Sequence, residues 1–450
     1  MFFSKFTKEK IIEYLKSPEI NEKYIRDACI YLYNVSSHFK RLVQYFSKID
    51  SLDYIVVPYK LDTKNVNKNK FLKQYKQVLD LLETMNLKHE LIKVLTTAYR
   101  EDVFYGYEYS AEDSYFIRKL NPDYCKISTI EDGVYNFAYD FSYFNSRKDK
   151  LEQYGEEFVE KYNNYEKDSK LRWQELDSGR TICIKINEDI DYVIPPFVGV
   201  LEAIYDLQDY KLLKKIENQN DNYKILNCII PTDEKTGEML LKENLAMKYF
   251  KMIEKAVPDG IGVSLSPLKI ESFTFSNNST AERDAVAQAT AQVWSSAGVS
   301  ELIFNDTSAG STGLLQSIRS DIDVSKSVIR QIERWINRKL KNLDKTYRFK
   351  IHFLNVSIYN QKEMFDMYLS AGNAGVPVKS AVAAILGYSP SDIVTMSFLE
   401  NDVLKMRDTM FGEPLLSSHT MTSDEKGGRP PQDTVDDKGQ KTRDTEGNDR

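Results

Sequence analysis

Apolar positions along the first hundred residues recur at steps of three and four, the period of a helix with one buried face. Between 21 and 48, Ile25, Cys29, Leu32, Val35, Phe39, Leu42 and Phe46 share one side and predict a continuous helix. The spacing returns through Phe71, Tyr75, Val78 and Leu82, which predicts helices over 68–86 and 88–100 after a short strand, DYIVVPY, at 53–59. Past residue 102 the period changes. DVFYGYEYS, DSYFIRKL, YCKISTI and VYNFAYDFSYF are aromatic and β-branched runs divided by Ala-Glu, Asn-Pro-Asp and Glu-Asp-Gly. They predict a meander of antiparallel strands. A polar helix at about 148–168 and a strand in TICIKI follow.

Pro195-Pro196 suits a helix start, so IPPFVGVLEAIYDLQDYKLLKKIENQND is expected helical to about 221. Residues 222–276 read as a compact β-α-β-β insertion: strand ILNCIIP, helix KENLAMKYFKMIEKA, and a strand pair in GIGVSLSPLKIESFTF broken at Pro267. Ser279 and Glu282 fit a capping box opening a helix to about 297. GVSELIF is expected extended, and NDTSAGSTG, 305–313, is a loop of small, hydroxylated, flexible residues. From Leu314 to Leu343 the pattern predicts a rod of roughly 45 Å. Leu315, Ile318, Ile322, Ile329, Ile332, Ile336 and Leu340 lie down one side of it. YRFKIHF alternates, with Tyr347, Phe349, Ile351 and Phe353 on one face of a half-buried strand. Three short helices are expected at about 361–372, 378–386 and 390–409, and a polar, mixed-charge tail after about 417 reads as disordered. The fold class is therefore α+β, mainly helical.

Composition adds mostly exclusions. At 42% hydrophobic and 28% charged, the 450 residues are ordinary globular material. A net charge of −6 argues against a protein that coats nucleic acid by sheer positive charge. Cys29, Cys125, Cys183 and Cys228 form no CxxC pair, so neither a disulfide framework nor a zinc site is expected. MFFSKFTKEK carries charge too often for a signal peptide, and no apolar run approaches the ~20 residues of a membrane span. A soluble intracellular product is expected.

The search for chemistry is equally sparse. NDTSAGSTG lacks the lysine with which a phosphate-binding loop holds its ligand. GIGVSLSP lies between strands and reads as a turn. His38, His89, His352 and His419 sit in no metal-binding spacing, and no Gly-x-Ser-x-Gly elbow occurs. Asp321 and Asp323 fall on the polar side of the long helix, where a solvated or interface face outweighs two-metal chemistry. No catalytic residue, metal or cofactor is expected, which favours a structural protein over an enzyme.

The order of elements from 196 onward resembles the portal proteins of tailed double-stranded DNA bacteriophages. The helix PPFVGVLEAIYDL runs into the insertion; then come AERDAVAQATAQVWSSAGVSELIF, a flexible loop and the long helix SIRSDIDVSKSVIRQIERWINRKL. Upstream, YREDVFYGYEYS followed by FIRKLNPDYCKIST is similar to the family's wing pattern, and GGRPPQDTVDDKGQ to its polar endings. The likeness covers about 95–410.

The resemblance implies a portal fold assembling as a ring, dodecameric in the family. It implies a wing over 1–195, a first stem helix over 196–221, a clip over 222–276 and a second stem helix over 277–298. A tunnel-loop region at 299–313, a long channel helix and returning wing strand at 314–360, and crown helices at 361–416 precede the tail at 417–450. Asn305, Asp306, Thr307, Ser308, Ala309, Gly310, Ser311, Thr312 and Gly313 would form the tunnel loop. Thr232, Asp233, Glu234, Lys235, Thr236, Lys242 and Glu243 would form the docking face of the clip. The implied partners are further copies of the chain, the major capsid protein, the terminase large subunit, head-completion or adaptor proteins, and double-stranded DNA passing without sequence recognition. No membrane is involved. The protein would be made in the host cytoplasm and reside at the portal vertex of the virion. The alternatives are another virion ring or baseplate component without DNA in its channel, and a nucleic-acid-processing enzyme using Asp321 and Asp323.

Overall fold

A computed structural model of the chain describes residues 6–222, 224–233, 236, 238–257, 261–266, 279–304, 311–343 and 346–406. The chain divides into one unit ending at Ser391 and a second from Asp392.

Three helices open the first unit: α1 (Lys8–Lys16), α2 (Pro18–Val35) and α3 (Ser37–Lys48). The single helix expected over 21–48 is broken at Ser36. That residue adopts an extended backbone, and its hydroxyl accepts the Phe39 N–H at 3.4 Å, capping α3. The shared apolar face survives the break, with only Val35 exposed. Strand β1 (Tyr54–Tyr59) precedes α4 (Lys68–Met85) and α5 (Leu87–Glu101). Asn86 turns between these two helices in the left-handed conformation.

The expected meander is instead two sheets. β2 (Val103–Ala111) and β3 (Ser114–Lys119) form one hairpin, β4 (Cys125–Glu131) and β5 (Val134–Asp140) another. Asn121 caps a 3-10 turn that begins with Pro122, a residue with no N–H to continue the first ladder. Short α6 (Lys148–Leu151) and α7 (Glu156–Lys167) replace the one polar helix expected; Gly155, at φ 91°, separates them. Strand β6 (Trp173–Glu175), absent from the sequence reading, completes a β4-β5-β6 sheet, and β7 (Thr181–Lys185) a β3-β2-β7 sheet. Between them lies an aromatic core of Tyr105, Tyr107, Phe137, Tyr139, Phe141, Phe144 and Phe158.

After Pro196 a 3-10 turn at Val198–Val200 delays α8, which spans Leu201–Asn222. Strand β8 (Lys224–Ile229), α9 (Glu243–Ala256) and β9 (Ile261–Ser266) form a right-sized βαβ crossover whose strands pair in parallel. The third strand expected here lies outside the described residues. α10 (Ser279–Ser296) returns alongside α8; the side chains of its proposed capping box are also outside the described set. GVSELIF holds a 3-10 turn at Glu301–Ile303 rather than an extended run.

α11 (Ser311–Lys341) is the spine of the unit, and β10 (Arg348–Phe353) pairs antiparallel with β1. Phe349, Ile351 and Phe353 are buried and Arg348, Lys350 and His352 exposed, as the alternation predicts. Of the α11 stripe, Ile318 to Leu340 is buried, whereas Leu315 is 47% exposed and its neighbour Leu314 is the one that packs against the core. α12 (Gln361–Asn373) and α13 (Lys379–Ile385) close the unit, α13 packing against β1. α14 (Pro390–Phe398) begins at its end. The second unit, described to residue 406, holds the rest of α14 and a π-helical turn at Leu399–Val403.

Both sheets beside α11 have a free edge, and polar side chains of the helix fill both. Gln331 donates to Lys185 O at 2.7 Å and accepts its N–H at 3.2 Å, while Trp335 Nε1 donates to Thr181 O at 3.0 Å. On the other side Asn337 brackets Ile351, and Glu333 accepts the Phe353 N–H at 3.1 Å. Unpaired strand edges are thereby satisfied without a further strand.

Candidate functional site

Two surfaces carry the sequence-predicted residues. The first is the βαβ insertion at the far end of the α8–α10 pair. The base of α8 is buried through Ala203, Ile204 and Leu207 and tied to α1, where Lys8 Nζ meets Asp206 at 2.5 Å and Glu202 at 3.3 Å. Farther along, α8 exposes Tyr210, Leu212, Leu213 and Ile216, and the insertion exposes Met239, Leu240, Leu245, Met247, Tyr249 and Met252. Leu213 and Met252 are 61% and 60% exposed, values that a core side chain would not show.

Thr232 bridges Met239, the Asp233 N–H donates to Glu238 O at 2.9 Å, and Asp233 Oδ1 accepts the Thr236 N–H at 3.2 Å, so the described residues between Pro231 and Leu240 fold back on themselves. Thr232 and Thr236 are exposed at this tip. Lys242 precedes α9 and Glu243 opens it, where a carboxylate favours the helix dipole. The structure therefore brings Thr232, Asp233, Thr236, Lys242 and Glu243 to one region; Glu234 and Lys235 lie outside the described residues.

The second surface is the root of the loop. Asn305 to Gly310 lie outside the described residues, while Ser311, Thr312 and Gly313, expected in the loop, form the first turn of α11. The root itself is an aromatic clamp. Phe304 stacks on Trp294 of α10 with centroids 4.0 Å apart and meets Tyr45 of α3 edge-on at 5.5 Å. His38 lies 5.7 Å from Trp294; burial, reinforced by Lys211, lowers its pKa. The Tyr45 hydroxyl donates to Asp321 Oδ2 at 2.8 Å, so α3 is fastened to α11 just beyond the loop. Burial raises the pKa of Asp321, and the Tyr45 hydrogen bond opposes that shift.

This corrects the sequence expectation for Asp321, which is buried, whereas Asp323 is 80% exposed and pairs with Lys326 at 3.3 Å. Residues two apart on a helix point away from each other, so the two carboxylates cannot share a metal. Among the described residues no three His, Cys, Asp or Glu side chains converge as a metal site. A groove of about 410 Å³ between α8 and α10 is lined by Glu202, Asp206, Tyr210, Gln288, Gln292 and Ser296, whose hydroxyl accepts a hydrogen bond from Gln292 Nε2 at 3.3 Å. No single helix among the described residues is long and apolar enough to cross a membrane.

Sequence reasoning missed the clamp residues Tyr45, Trp294 and Phe304. The available signal was a pair of large aromatics placed ahead of a wholly polar segment.

No family model and no curated protein matches the chain. Solved structures similar to it include two of gene transfer agent particles. One is the virion of a native gene transfer agent particle, with 13% identity over 80% of this chain and 94% of that chain and a TM-score of 0.46. The other is the neck of an empty gene transfer agent particle, with 14% identity over 80% and 92% of the two chains and a TM-score of 0.44.

Proposed function

We propose that this chain is the subunit of a portal ring through which double-stranded DNA is packaged into and ejected from a virus capsid. The observation that carries the reading is the α8–α10 pair with its insertion. It bears large apolar side chains on surfaces left exposed among the described residues, and contiguous exposed apolar surface marks an interaction site. Copies arranged head to tail in a closed ring would cover such faces.

In that ring 196–221 and 277–298 are the stem, 222–276 the clip, and the segment after Phe304 the tunnel loop. Asn305 to Gly313 contains no Lys or Arg, which suits contact with DNA that must slide rather than be held. The hairpin of Thr232, Asp233 and Thr236, with Lys242 and Glu243, serves as the docking face for the terminase large subunit and later for head-completion or adaptor proteins. The N-terminal helices and sheets meet the major capsid protein. The chain itself hydrolyses nothing, and the motor supplies the energy.

Electron microscopy of the purified protein tests this. Rings, twelve-fold as in the family resembled, with a central channel of DNA width are expected. A clean monomer by light scattering at high concentration overturns the proposal. Rings that leave DNA packaging unchanged when omitted make the protein another virion ring or baseplate component.

A further inference from the structure

The solvent face of α11 changes character halfway along. In its N-terminal half the charges are matched: Arg319 meets Glu363 at 3.0 Å, and Asp323 meets Lys326 at 3.3 Å. In the C-terminal half Arg330, Arg334 and Arg338 follow at four-residue intervals, and Lys341 three residues later. Arg330 and Arg334 are exposed, and neither has a carboxylate within ion-pair distance among the described residues. Arg338 is half-buried and already engaged: its guanidinium donates to Asn136 Oδ1 at 3.0 Å and Ser178 O at 2.9 Å, and Glu131, Asp132 and Glu108 lie near enough to offset its charge. Lys339 and Lys341 take carboxylates, those of Glu108 and Asp132. Like charges four apart on a helix repel, and the helix C-terminal dipole offsets charge only within the last turn. Arg330 and Arg334 gain nothing from it.

Arg334 is also placed by the fold. Its guanidinium lies over the turn between β4 and β5, in the space that a Cβ at Gly133 would fill.

We infer that this row is a docking ridge for the phosphate backbone of duplex DNA. Four helical residues advance about 6 Å along the axis, and each duplex strand presents one phosphate per ~3.4 Å. The two free guanidinium groups, Arg330 and Arg334, can thus each meet a phosphate of the duplex backbone, and a planar guanidinium donates two N–H bonds to a phosphate at once. Arg330 lies about 28 Å along α11 from Ser311 at 1.5 Å per residue. The ridge is thus a different surface from the loop root, and the inference stands whether or not that loop lines a channel.

Fluorescence anisotropy of the full chain with a short, labelled, mixed-sequence duplex, over roughly 50–200 mM salt, tests it. Arg330→Gln/Arg334→Gln is compared with Lys70→Gln/Lys73→Gln, which removes two exposed charges from α4. The ridge variant is expected to bind at least tenfold more weakly at low salt, with a log K against log salt slope shallower by about 1.8, or 0.9 per contact. The α4 variant keeps the parental slope. Equal losses in both variants, an unchanged ridge variant, or no duplex binding by the parent chain at low salt overturns the inference. So does a ridge variant that loses only polyglutamate binding, which would mark an acidic protein as the partner.

Discussion

Asn337 gives Ile351 both hydrogen bonds that a neighbouring strand would: its Oδ1 accepts the Ile351 N–H at 2.8 Å and its Nδ2 donates to Ile351 O at 3.1 Å. Gln331 does the same for Lys185, a residue distant in sequence on a different sheet. Truncating either amide strands one buried donor and one acceptor, at about 1–3 kcal/mol per group before water relieves part of it. Gln331→Ala and Asn337→Ala are each expected to lower stability by about 2 kcal/mol. Urea unfolding checks this: the midpoint should fall while the slope stays constant.

Gly106 stands where β2 passes between its two neighbours. A Cβ there would lie 2.5 Å from Phe104 Cε1 and 2.8 Å from both Ile117 Cγ2 and Ile182 Cγ2. All three belong to packed core side chains, so none can withdraw freely. Gly106→Ala is expected to cost about 3 kcal/mol through overpacking, read as a lowered thermal midpoint.

Asp50 supplies a pH dependence. Burial, reinforced by the neighbouring Asp53, pushes its pKa up to about 7, against the Leu52 N–H at 2.8 Å and Lys326. The folded state therefore holds a proton between about pH 4 and 7 that the unfolded chain has released. Stability from this group falls with rising pH across that window, by up to ~1.4 kcal/mol per pH unit, and levels off above it. Asp50→Asn keeps an acceptor for Leu52 and removes the charge. The variant should gain over the parent at pH 8 and show a flatter stability profile between pH 5 and 7, measured by denaturant titration at each pH.

Deleting Thr307 to Gly310 spares both Phe304, clamped by Trp294 and Tyr45, and Ser311, where α11 begins. On the portal reading, the shortened protein assembles into the parental ring but packages or retains DNA poorly. Lost assembly, with normal packaging by the rings that remain, would show that the segment belongs to an interface.

Helix positions were legible because one-sided apolar spacing survives wherever a helix lies on a core, and β10 was legible from strict alternation. What was hidden depended on single polar groups. The Ser36 hydroxyl ends one helix and starts another inside an unbroken apolar stripe. Pro122 diverts the chain from one sheet to a second without altering the strand-like composition on either side. Asp321 looked solvated beside Asp323, yet its bond to Tyr45 comes from α3, far away in sequence. Nothing in the spacing singles out Gln331 and Asn337, because only the approach of two strand edges gives their amides a role. For the loop, the sequence indicated its neighbourhood, while its C-terminal limit moved because Ser311 to Gly313 belong to the helix.

The double seal made by α11 ties the fates of distant segments together. If the helix lifts, the backbone amides of Lys185 on one sheet and of Ile351 and Phe353 on the other lose their acceptors in the same event. Their exchange with deuterated solvent should then report a common opening free energy, despite belonging to separate sheets. α11 would thus set the boundary of a cooperative unit, and any load transmitted along the helix would be shared by both sheets at once.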